Sequence, residues 1–433
     1  MNKIPKWKDI SLTFQGLFQY LIYQKKSQYW THDEIKKYQF KKLKFLLIEC
    51  YKNVPYYTDL FKKINFNPQY DFNLIEDIKK IPILTKEIAK TNKLNLRNKN
   101  YNKKCFPLRT SGSTGQPFEV YISFNAWVVE QAVIWRHWFW GGYKFRDEMA
   151  IVRSFSPKNG EPLIKFDRLR NFTYYSPFHL NDENIEYYMR IMIERKTKVL
   201  RGYPSSILTI AQYAKKTNTK LQYLKLILTA SEVLTDSDRY FIENTFNTKI
   251  SNHYGLAEVC VMMGDCNMHN GLHNYDDYGY VEFIPTENTS FSKIIGTNLH
   301  NYAMPLIRYE TGDIAEHLEK YCNCGRSLTN VKNIMGRSDT NIITPENYKI
   351  PTVNFYTMFE NFLEINKWQI VQISINEIHF NISTSYISDE QLIELENQIK
   401  SRLDSIINYK ILINNEFIRK SEGKLNSFVS LLN

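Results

Sequence analysis

Residues 109–117 read Arg109-Thr110-Ser111-Gly112-Ser113-Thr114-Gly115-Gln116-Pro117, so that two glycines and four hydroxyl side chains follow one another. Glycine lets a backbone turn tightly, and successive N–H groups with Ser and Thr hydroxyls form a concavity that suits anionic oxygens. We therefore expect a polyphosphate ligand. The segment is not a Walker A loop, because that motif requires a lysine where Gln116 stands. Taken alone, it leaves open a Ser/Gly-rich surface hairpin.

The composition indicates a globular chain of more than one structural unit. At 433 residues it is too long for one compact core, and 43% hydrophobic with 23% charged residues is not a disordered composition. The formal charge of +11 is compatible with a nucleic-acid partner, but the lysines are scattered and do not form a stripe with stacking aromatic residues. We expect no nucleic-acid binding.

The sequence predicts no membrane span and no signal peptide. No segment reaches the roughly 18 uninterrupted apolar residues that a membrane helix needs. Asp9, Gln15 and Gln19 interrupt any apolar signal region, so cytoplasm is the expected location. Residues 12–23 (LTFQGLFQYLIY) can form an amphipathic helix in peripheral contact with a membrane. A helix packed on the main domain is favoured, because membrane-surface helices usually carry a denser cationic face.

Residues 148–260 alternate short apolar strands with amphipathic helices, which predicts a parallel sheet with covering helices. Ligands of such sheets bind beyond the carboxyl ends of the strands, where this chain has the polar or glycine-containing segments 202–205, 229–232 and 254–255. Residues 278–320 read as short antiparallel strands, and 341–433 as a small α+β unit. The helix predicted at 125–140 is apolar on nearly every face, which favours core packing of its tryptophans over a place in a substrate pocket.

Four further motifs follow the glycine-rich segment in order: His253-Tyr254-Gly255-Leu256-Ala257-Glu258, Tyr309-Glu310-Thr311-Gly312-Asp313, Gly336-Arg337-Ser338-Asp339 and Gly423-Lys424. Together the five resemble the motifs of adenylate-forming enzymes, the superfamily of acyl- and aryl-CoA ligases, luciferases and peptide-synthetase adenylation domains. Local segments resemble its phenylacetate-CoA ligase-like branch, which includes proteins of capsule and lipopolysaccharide gene clusters: 53–57 (NVPYY), 81–86 (IPILTK), 202–205 (GYPS) and 324–326 (CGR).

The resemblance implies an α/β fold with a large N-terminal domain, residues 1–337, in which helices cover parallel sheets and a small antiparallel β unit is added. A small mobile α+β C-terminal domain, residues 338–433, would swing about Asp339. After Asp339 the chain departs from the branch: residues 340–347 (TNIITPEN) replace the usual second Asp and glycine-containing loop. This departure weakens the inference that coenzyme A is the acyl acceptor.

The resemblance also implies roles for individual residues. Those expected to bind the nucleotide are Thr110, Ser111, Gly112, Ser113, Thr114 and Gly115 at the phosphates, Ser231, Glu232, Tyr254 and Gly255 at adenine, and Asp313 at the ribose hydroxyls. Those expected in catalysis are Lys424 as a cation at the carboxylate and α-phosphate, Glu258 as a hard oxygen ligand of Mg²⁺, and Arg337 at ribose or phosphate. Those expected at the acyl group are Tyr203, Trp135, His137, Leu256 and Ala257.

The implied function is an ATP-dependent ligase. It would convert a carboxylic acid, small or glycan-linked, to acyl-AMP and pass the acyl group to coenzyme A or to an amine of a sugar or amino acid, in capsule or lipopolysaccharide synthesis. The alternative from another class is a catalytically inactive nucleotide-binding scaffold of a polysaccharide-assembly complex. The presence of every motif residue, Lys424 included, argues against that alternative.

Four cysteine and histidine side chains form a candidate structural zinc site: Cys266, His273, Cys322 and Cys324. In a chain expected in the cytoplasm, such a cluster favours zinc over disulfides, and three thiolates with one imidazole make an ordinary tetrahedral site. His269 and Cys260 are possible substitutes in this set. The alternative is a group of small buried thiols, which is also our expectation for Cys50 and Cys105.

Overall fold

A computed structural model gives the structure of this chain. It describes residues 6–109, 118–158, 160–232, 234, 236–285, 291–318, 322–335, 341–352, 355, 358–359, 362, 364–384, 386–403, 407–413, 417–418 and 428–432. In that part of the chain, no helix combines the length and the apolar character needed to cross a bilayer.

Helices dominate the first 140 residues and return between the strands. In chain order they are α1 (Lys6–Gln19), α2 (Lys25–Ser27), α3 (His32–Asn53), α4 (Pro55–Lys63), α5 (Pro68–Asp71), α6 (Lys86–Thr91), α7 (Phe124–Trp140), α8 (Asp182–Glu194), α9 (Pro204–Thr217), α10 (Asp236–Phe246) and α11 (Asp389–Lys400). A capping box begins α3, where the Thr31 hydroxyl accepts from the Glu34 N–H and the Glu34 carboxylate accepts from the Thr31 N–H. Pro55 separates α3 from α4 and occupies the first turn of α4, where its missing N–H costs nothing.

The helix α7 is buried between α1 and a large sheet, which explains why apolar residues occupy nearly all of its faces. The two helices approach closely at Gly16, because a Cβ there would lie 2.5 Å from the Cβ of Gln131. The favoured interpretation of residues 12–23, a helix packed on the main domain, is therefore confirmed. Gly142 follows α7 with φ of +91°, a conformation that glycine adopts without strain.

The strands are β1 (Cys105–Arg109), β2 (Glu119–Ser123), β3 (Met149–Val152), β4 (Ile164–Asp167), β5 (Phe172–Tyr175), β6 (Val199–Gly202), β7 (Leu226–Ala230), β8 (Ile250–Gly255), β9 (Met262–Asp265), β10 (Leu272–Asn274), β11 (Gly279–Pro285), β12 (Phe291–Asn298), β13 (Tyr309–Glu316), β14 (Asn330–Val331), β15 (Asn333–Met335), β16 (Asn341–Ile343), β17 (Lys349–Pro351), β18 (Ile365–Ser374), β19 (Glu377–Thr384), β20 (Asn408–Ile413) and β21 (Phe428–Ser430). The large sheet has the order β14-β10-β9-β8-β7-β6-β3-β5-β4. Its centre, β5-β3-β6-β7-β8, is parallel, as the βαβα rhythm predicts, and its outer pairs are antiparallel.

Both faces of the parallel strands are buried, so their sequences are nearly continuous apolar runs. Side chains alternate between the faces: Ile151 and Val199 pack with α7, whereas Val152 and Leu200 pack with α8, α9 and α10. The result is three layers, with helices on each side of the sheet. This α/β architecture is the predicted fold class.

The antiparallel unit is the sheet β11-β12-β13-β15, and it packs against the loop that follows β8. Glycines allow this contact, because a Cβ on Gly279 would lie 2.2 Å from the carbonyl oxygen of Cys260, and one on Gly296 would lie 2.5 Å from Val261. The antiparallel sheet therefore supports one end of the large sheet.

The last part of the chain forms a separate sheet, β20-β19-β18-β21, with its own apolar core beneath α11. It touches the large domain near the hairpin β16-β17, where the Tyr348 hydroxyl donates to Asp182 at 2.5 Å. The α+β composition matches expectation. The boundary at 337 and 338 and the mobility of this unit stay predictions.

Candidate active site

The segments expected to hold a ligand follow three neighbouring parallel strands. Gly202 of β6 is paired with Thr229 of β7, and Ala230 of β7 is paired with His253 of β8. The carboxyl ends of these strands therefore lie at one edge of the sheet. This register brings Tyr203, the segment 231–232 and Tyr254 to the same edge.

The turn after β7 is strained and tied to its neighbours. Ser231 has φ of +74°, a left-handed conformation that is uncommon outside glycine. Its hydroxyl accepts from the Arg153 guanidinium at 3.2 Å, and the carboxylate of Glu232 accepts from the Ser205 N–H at 3.1 Å, in the first turn of α9. Such outliers persist only where surrounding contacts hold them, as these do.

Tyr254 and Asp313 come from different sheets and meet. The Tyr254 hydroxyl, at the end of β8, donates to Oδ2 of Asp313 on β13 at 2.7 Å. Burial raises the pKa of Tyr254 well above its usual range, and the neighbouring Asp313 charge raises it further, so the phenol stays a neutral donor. The pair presents a carboxylate whose orientation is set by a hydrogen bond.

Glu258 lies in the loop after β8, where its Oε1 accepts from the Tyr309 hydroxyl at 2.9 Å. The carboxyl is buried, with 5% of the residue exposed. The next residue, Val259, has φ of +50°, a rare conformation for a β-branched side chain, and its carbonyl accepts from Asn298 at 2.7 Å. The antiparallel sheet thus stabilises the turn that carries Glu258.

The residues of the glycine-rich segment, 110–117, are outside the described part of the chain, whereas the residues that flank it are described. The strands on both sides of it pair, with Arg109 opposite Glu119. Phe118, the first described residue after it, stacks on Tyr309 with ring centroids 6.3 Å apart. The expected sites outside the described residues are Thr110, Ser111, Gly112, Ser113, Thr114, Gly115, Arg337, Asp339 and Lys424.

The predicted acyl-pocket residues divide into two groups. Trp135 lines a cavity of about 240 Å³, and Tyr203 adjoins it through a 3.0 Å hydrogen bond to the lining residue Ser154. His137 lies away from that cavity, in the core, where its ring nitrogens contact Ser251 at 3.3 Å and Tyr275 at 3.0 Å. Burial lowers the pKa of His137 to about 3, so its imidazole is neutral.

Leu256 and Ala257 lie in the loop between β8 and Glu258 and are both partly exposed. Gly255 precedes them, and a Cβ on it would have no neighbour nearer than 3.6 Å. The sequence prediction missed the arginines of the cavity, Arg153, Arg170 and Arg201. Two of them, Arg153 and Arg201, stand at or next to the carboxyl ends of predicted strands, which is the signal that could have found them.

The four predicted zinc ligands converge. The ligand atoms of Cys266, His273, Cys322 and Cys324 all lie within 4.8 Å of one another. The Cys266 and Cys322 sulfurs are 3.6 Å apart, and the Cys324 sulfur is 3.5 Å from Nε2 of His273. Burial alone would raise the pKa of Cys324, but hydrogen bonds and the charge of Arg326 lower it overall, which favours the thiolate. Cys260 lies elsewhere, against Gly296, and His269 is not part of the cluster.

Comparison with known proteins gives relatives over most of the chain. No protein-family model matches. Protein CapK of Staphylococcus aureus is 26% identical over 381 residues, covering 85% of this chain and 82% of that protein. The phenylacetate-coenzyme A ligase of Escherichia coli (strain K12) is 22% identical over 436 residues, covering 90% of this chain and 94% of the enzyme.

Among solved structures, 2-hydroxyisobutyryl-CoA ligase in complex with 2-HIB-AMP and CoA matches with a TM-score of 0.61 and 16% identity. The match covers 94% of this chain and 92% of that one, and it shows the fold. The strand order, the ordered motifs and these relatives agree. The chain is a homologue of Protein CapK and of phenylacetate-CoA ligases, and its sequence and fold are consistent with the adenylate-forming superfamily of ATP-dependent, AMP-forming ligases, in the phenylacetate-CoA ligase-like branch.

Proposed function

We propose that this chain activates a carboxylic acid with ATP and transfers the acyl group to a nucleophile. A carboxylate oxygen attacks the α-phosphorus, the bond to the bridging oxygen of the β-phosphate breaks, and pyrophosphate leaves. The acceptor then attacks the acyl carbon of the acyl-AMP and AMP leaves. The observation that carries the proposal is the meeting of two motif pairs, Tyr254 with Asp313 and Glu258 with Tyr309.

In this proposal Asp313 accepts hydrogen bonds from the ribose hydroxyls, and Tyr254 orients it. The ring of Tyr254 lies against adenine, while backbone groups at Ser231 and Glu232 read the edge of the base. The left-handed backbone of Ser231, directly after β7, supports this role, because strained backbone conformations cluster at ligand-binding sites. Residues 110–115 would cradle the phosphates.

Glu258 is the proposed ligand of a magnesium ion that the nucleotide brings. Mg²⁺ prefers oxygen ligands and is commonly held by one or two carboxylates together with phosphate oxygens and water. A buried carboxylate fits that donor set, and its partner Tyr309 also stacks on Phe118, the residue that follows the glycine-rich segment in sequence. The ion would neutralise charge on the departing pyrophosphate. Lys424 and Arg337 would supply the remaining cations, at the carboxylate and at ribose or phosphate.

Zinc is proposed as a structural ion. In a tetrahedral site with Zn–S bonds of about 2.3 Å, sulfur atoms lie about 3.8 Å apart, and a sulfur and an imidazole nitrogen lie slightly closer. The observed separations of 3.6 Å and 3.5 Å fit these edges. The ion would fasten the segment that contains Cys322 and Cys324 to the region of β9 and β10, and it takes no part in the reaction.

The acceptor is proposed to be coenzyme A or an amine of a sugar or amino acid. The ligases among the relatives favour coenzyme A by name. The non-standard segment 340–347 favours an amine. The name of Protein CapK is the support for a role in capsule synthesis. Supplying hydroxylamine, amino sugars or coenzyme A to preformed acyl-AMP, and measuring AMP release, distinguishes these acceptors.

Peripheral membrane contact is proposed for the N-terminal helices. Phe18 is 65% exposed, Leu21 51% and Ile22 55%, although all three are apolar. Lys25 and Lys26 follow on the exposed surface, where they would meet anionic headgroups. Co-sedimentation with vesicles containing phosphatidylglycerol should fall when Phe18 is replaced by Asp. Equal sedimentation of both proteins would refute the contact.

The decisive experiment is ATP–pyrophosphate exchange with Mg²⁺ across aryl acids, amino acids, short fatty acids and uronic acids. Exchange that requires one acid class and is lost in Lys424→Ala supports the proposal. Lys225→Ala is a matched control, because Lys225 pairs with Asp147 at 2.6 Å outside the site. Exchange unchanged in Lys424→Ala would refute the assigned role. ATP binding without exchange for any acid would favour the inactive scaffold.

A further inference from the structure

A cavity of about 240 Å³ lies between α1, α7 and the face of β3, β5 and β6 that α7 covers, and it reaches Arg153 just beyond the carboxyl end of β3. Its apolar walls include the aromatic rings of Trp135, Trp138 and Tyr174. Three arginines also line it: Arg153, which follows β3, Arg170, which precedes β5, and Arg201 on β6. A small cavity with aromatic walls and several cations is an unusual combination that requires an explanation.

Arg170 is neutralised within the protein. Its Nε donates to Oδ2 of Asp167 at 2.6 Å, and both side chains are largely buried. The charges of the other two arginines are not balanced in this way. Neither Arg153 nor Arg201 forms an ion pair with any carboxylate in the part of the chain that the structure describes, and the described lining contains no Asp or Glu.

The two unbalanced guanidinium groups are held by aromatic rings and a hydroxyl. Arg201 lies over the Trp138 ring at 4.8 Å, and Arg153 lies over the Tyr203 ring at 5.2 Å. Burial and the nearby charge of Arg153 lower the pKa of Arg201 to about 9. Cation–π contacts stabilise such groups only partly, and two like charges at one cavity oppose each other. An anion in the cavity would offset both effects.

The cavity adjoins the nucleotide segments. Arg153 lines it and also donates to Ser231, in the turn after β7. Ser154, another lining residue, is hydrogen-bonded to the Tyr203 hydroxyl at the carboxyl edge of the sheet. A molecule in the cavity would therefore lie next to the proposed site of adenylation.

We propose that this cavity receives the carbon skeleton of the acid substrate, and that this acid carries a second anionic group, a carboxylate or a phosphate ester, bound by Arg153 and Arg201. The inference rests on the proposed function and narrows its substrate to small dianionic acids. The aromatic walls contact the carbon atoms, and the second anionic group takes no part in the bond changes at the α-phosphorus.

The test compares acids that differ only in the second anionic group. Glutarate is paired with pentanoate, isophthalate with benzoate, and 3-phosphoglycerate with glycerate, while inorganic phosphate reports binding of a free anion. Two readouts are taken for each: the shift in thermal midpoint and kcat/KM for ATP–pyrophosphate exchange. We expect at least one dianionic acid to exceed its partner by about tenfold or more, the usual effect of a charge-assisted hydrogen bond.

Variants assign the effect to the arginines. In Arg201→Met, the ratio of kcat/KM between the two acids of the preferred pair should fall close to one. The thermal midpoint of this variant without ligand should not be lower than that of wild type, because the substitution removes an unbalanced charge. If that variant does not fold, Arg153→Gln makes the same test at a more accessible position. Arg190→Met, at an exposed arginine of α8, should leave the ratio unchanged.

Each outcome decides between the two proposals. Exchange that prefers monoanionic acids and depends on Lys424 overturns this inference and leaves the proposed function standing. In another outcome, a dianionic acid raises the thermal midpoint of wild type but not that of Arg201→Met, while no acid supports ATP–pyrophosphate exchange. That result supports the anion site and counts against the proposed function. Equal stabilisation by inorganic phosphate with no preference within the pairs would mean a free-anion site, and it overturns the inference.

Discussion

Replacing Tyr254 by Phe removes one hydroxyl and preserves the ring. That hydroxyl donates to Asp313 at 2.7 Å, and 9% of Asp313 is exposed to solvent. Hydrogen bonds to charged groups contribute about 1.5–3 kcal/mol to stability. We therefore expect Tyr254→Phe to lower the free energy of unfolding by about 2 kcal/mol, because a buried carboxylate loses a donor.

Urea unfolding of a double-mutant cycle measures this interaction. The cycle compares Tyr254→Phe, Asp313→Asn and the double variant, and we expect a coupling energy of about 1 kcal/mol or more. Tyr188→Phe is the matched control, because the Tyr188 hydroxyl is buried and donates to the neutral carbonyl of Ser176 at 3.3 Å. Its loss should cost about 0.5–1.5 kcal/mol.

The same variants test the nucleotide site. If Tyr254 orients Asp313 toward the ribose, Tyr254→Phe should raise KM for ATP in the exchange reaction by about tenfold, corresponding to about 1.4 kcal/mol. Asp313→Asn should raise it further, while Tyr188→Phe leaves it unchanged. A coupling energy near zero, together with an unchanged KM for ATP, would refute the reasoning.

Two further predictions concern metal and pH. Wild-type protein should contain about one zinc ion per chain, and Cys324→Ala should contain almost none. Cys105→Ala is the control and should keep the zinc. A thermal midpoint that is unchanged after chelation of the metal would contradict the site. Burial raises the pKa of Glu130 to about 8. Between about pH 4.5 and pH 8 the Glu130 carboxyl therefore keeps its proton in the folded state, whereas the unfolded chain releases it. The contribution of Glu130 to the free energy of unfolding is present in full below about pH 4.5 and is lost as the pH rises towards 8. Glu130→Gln should therefore reduce the fall in thermal midpoint between pH 5 and 8. Glu194→Gln, at an exposed position, is the control and should behave like wild type. If the plot of thermal midpoint against pH is the same for Glu130→Gln as for these two proteins, this effect is excluded.

Much of the fold follows from local pattern. The apolar runs of β3 and β6 predict buried parallel strands, because residues covered on both faces need no alternation. The all-apolar α7 predicts a helix inside the molecule. The order of β3 and β5 beside β6, and the antiparallel strands added at each end, depend on long-range pairing and are absent from the local pattern.

Resemblance to known motifs supplied the identities of most candidate site residues. It supplied neither the bond between Tyr254 and Asp313 nor the bond between Glu258 and Tyr309, since each joins positions more than 50 residues apart. It also assigned His137 to the acyl group, which stays a prediction; the structure adds that the His137 ring is buried and contacts Ser251 and Tyr275. A side chain on a helix that is apolar all round has no sequence signal for which neighbour it faces.

The sequence by itself determined the alternation of strands and helices and the order of the five motifs, and it proposed a thiol and imidazole cluster while leaving His269 and Cys260 as substitutes. These depend on residue type and on spacing along the chain. Only the tertiary structure decided that Cys266, Cys322 and Cys324 meet His273, and that Arg153 and Arg201 share a cavity whose described lining contains no carboxylate. The physical reason is that charge balance and ligand geometry are properties of distances in space, and packing of the sheets against α7 and the antiparallel unit sets those distances.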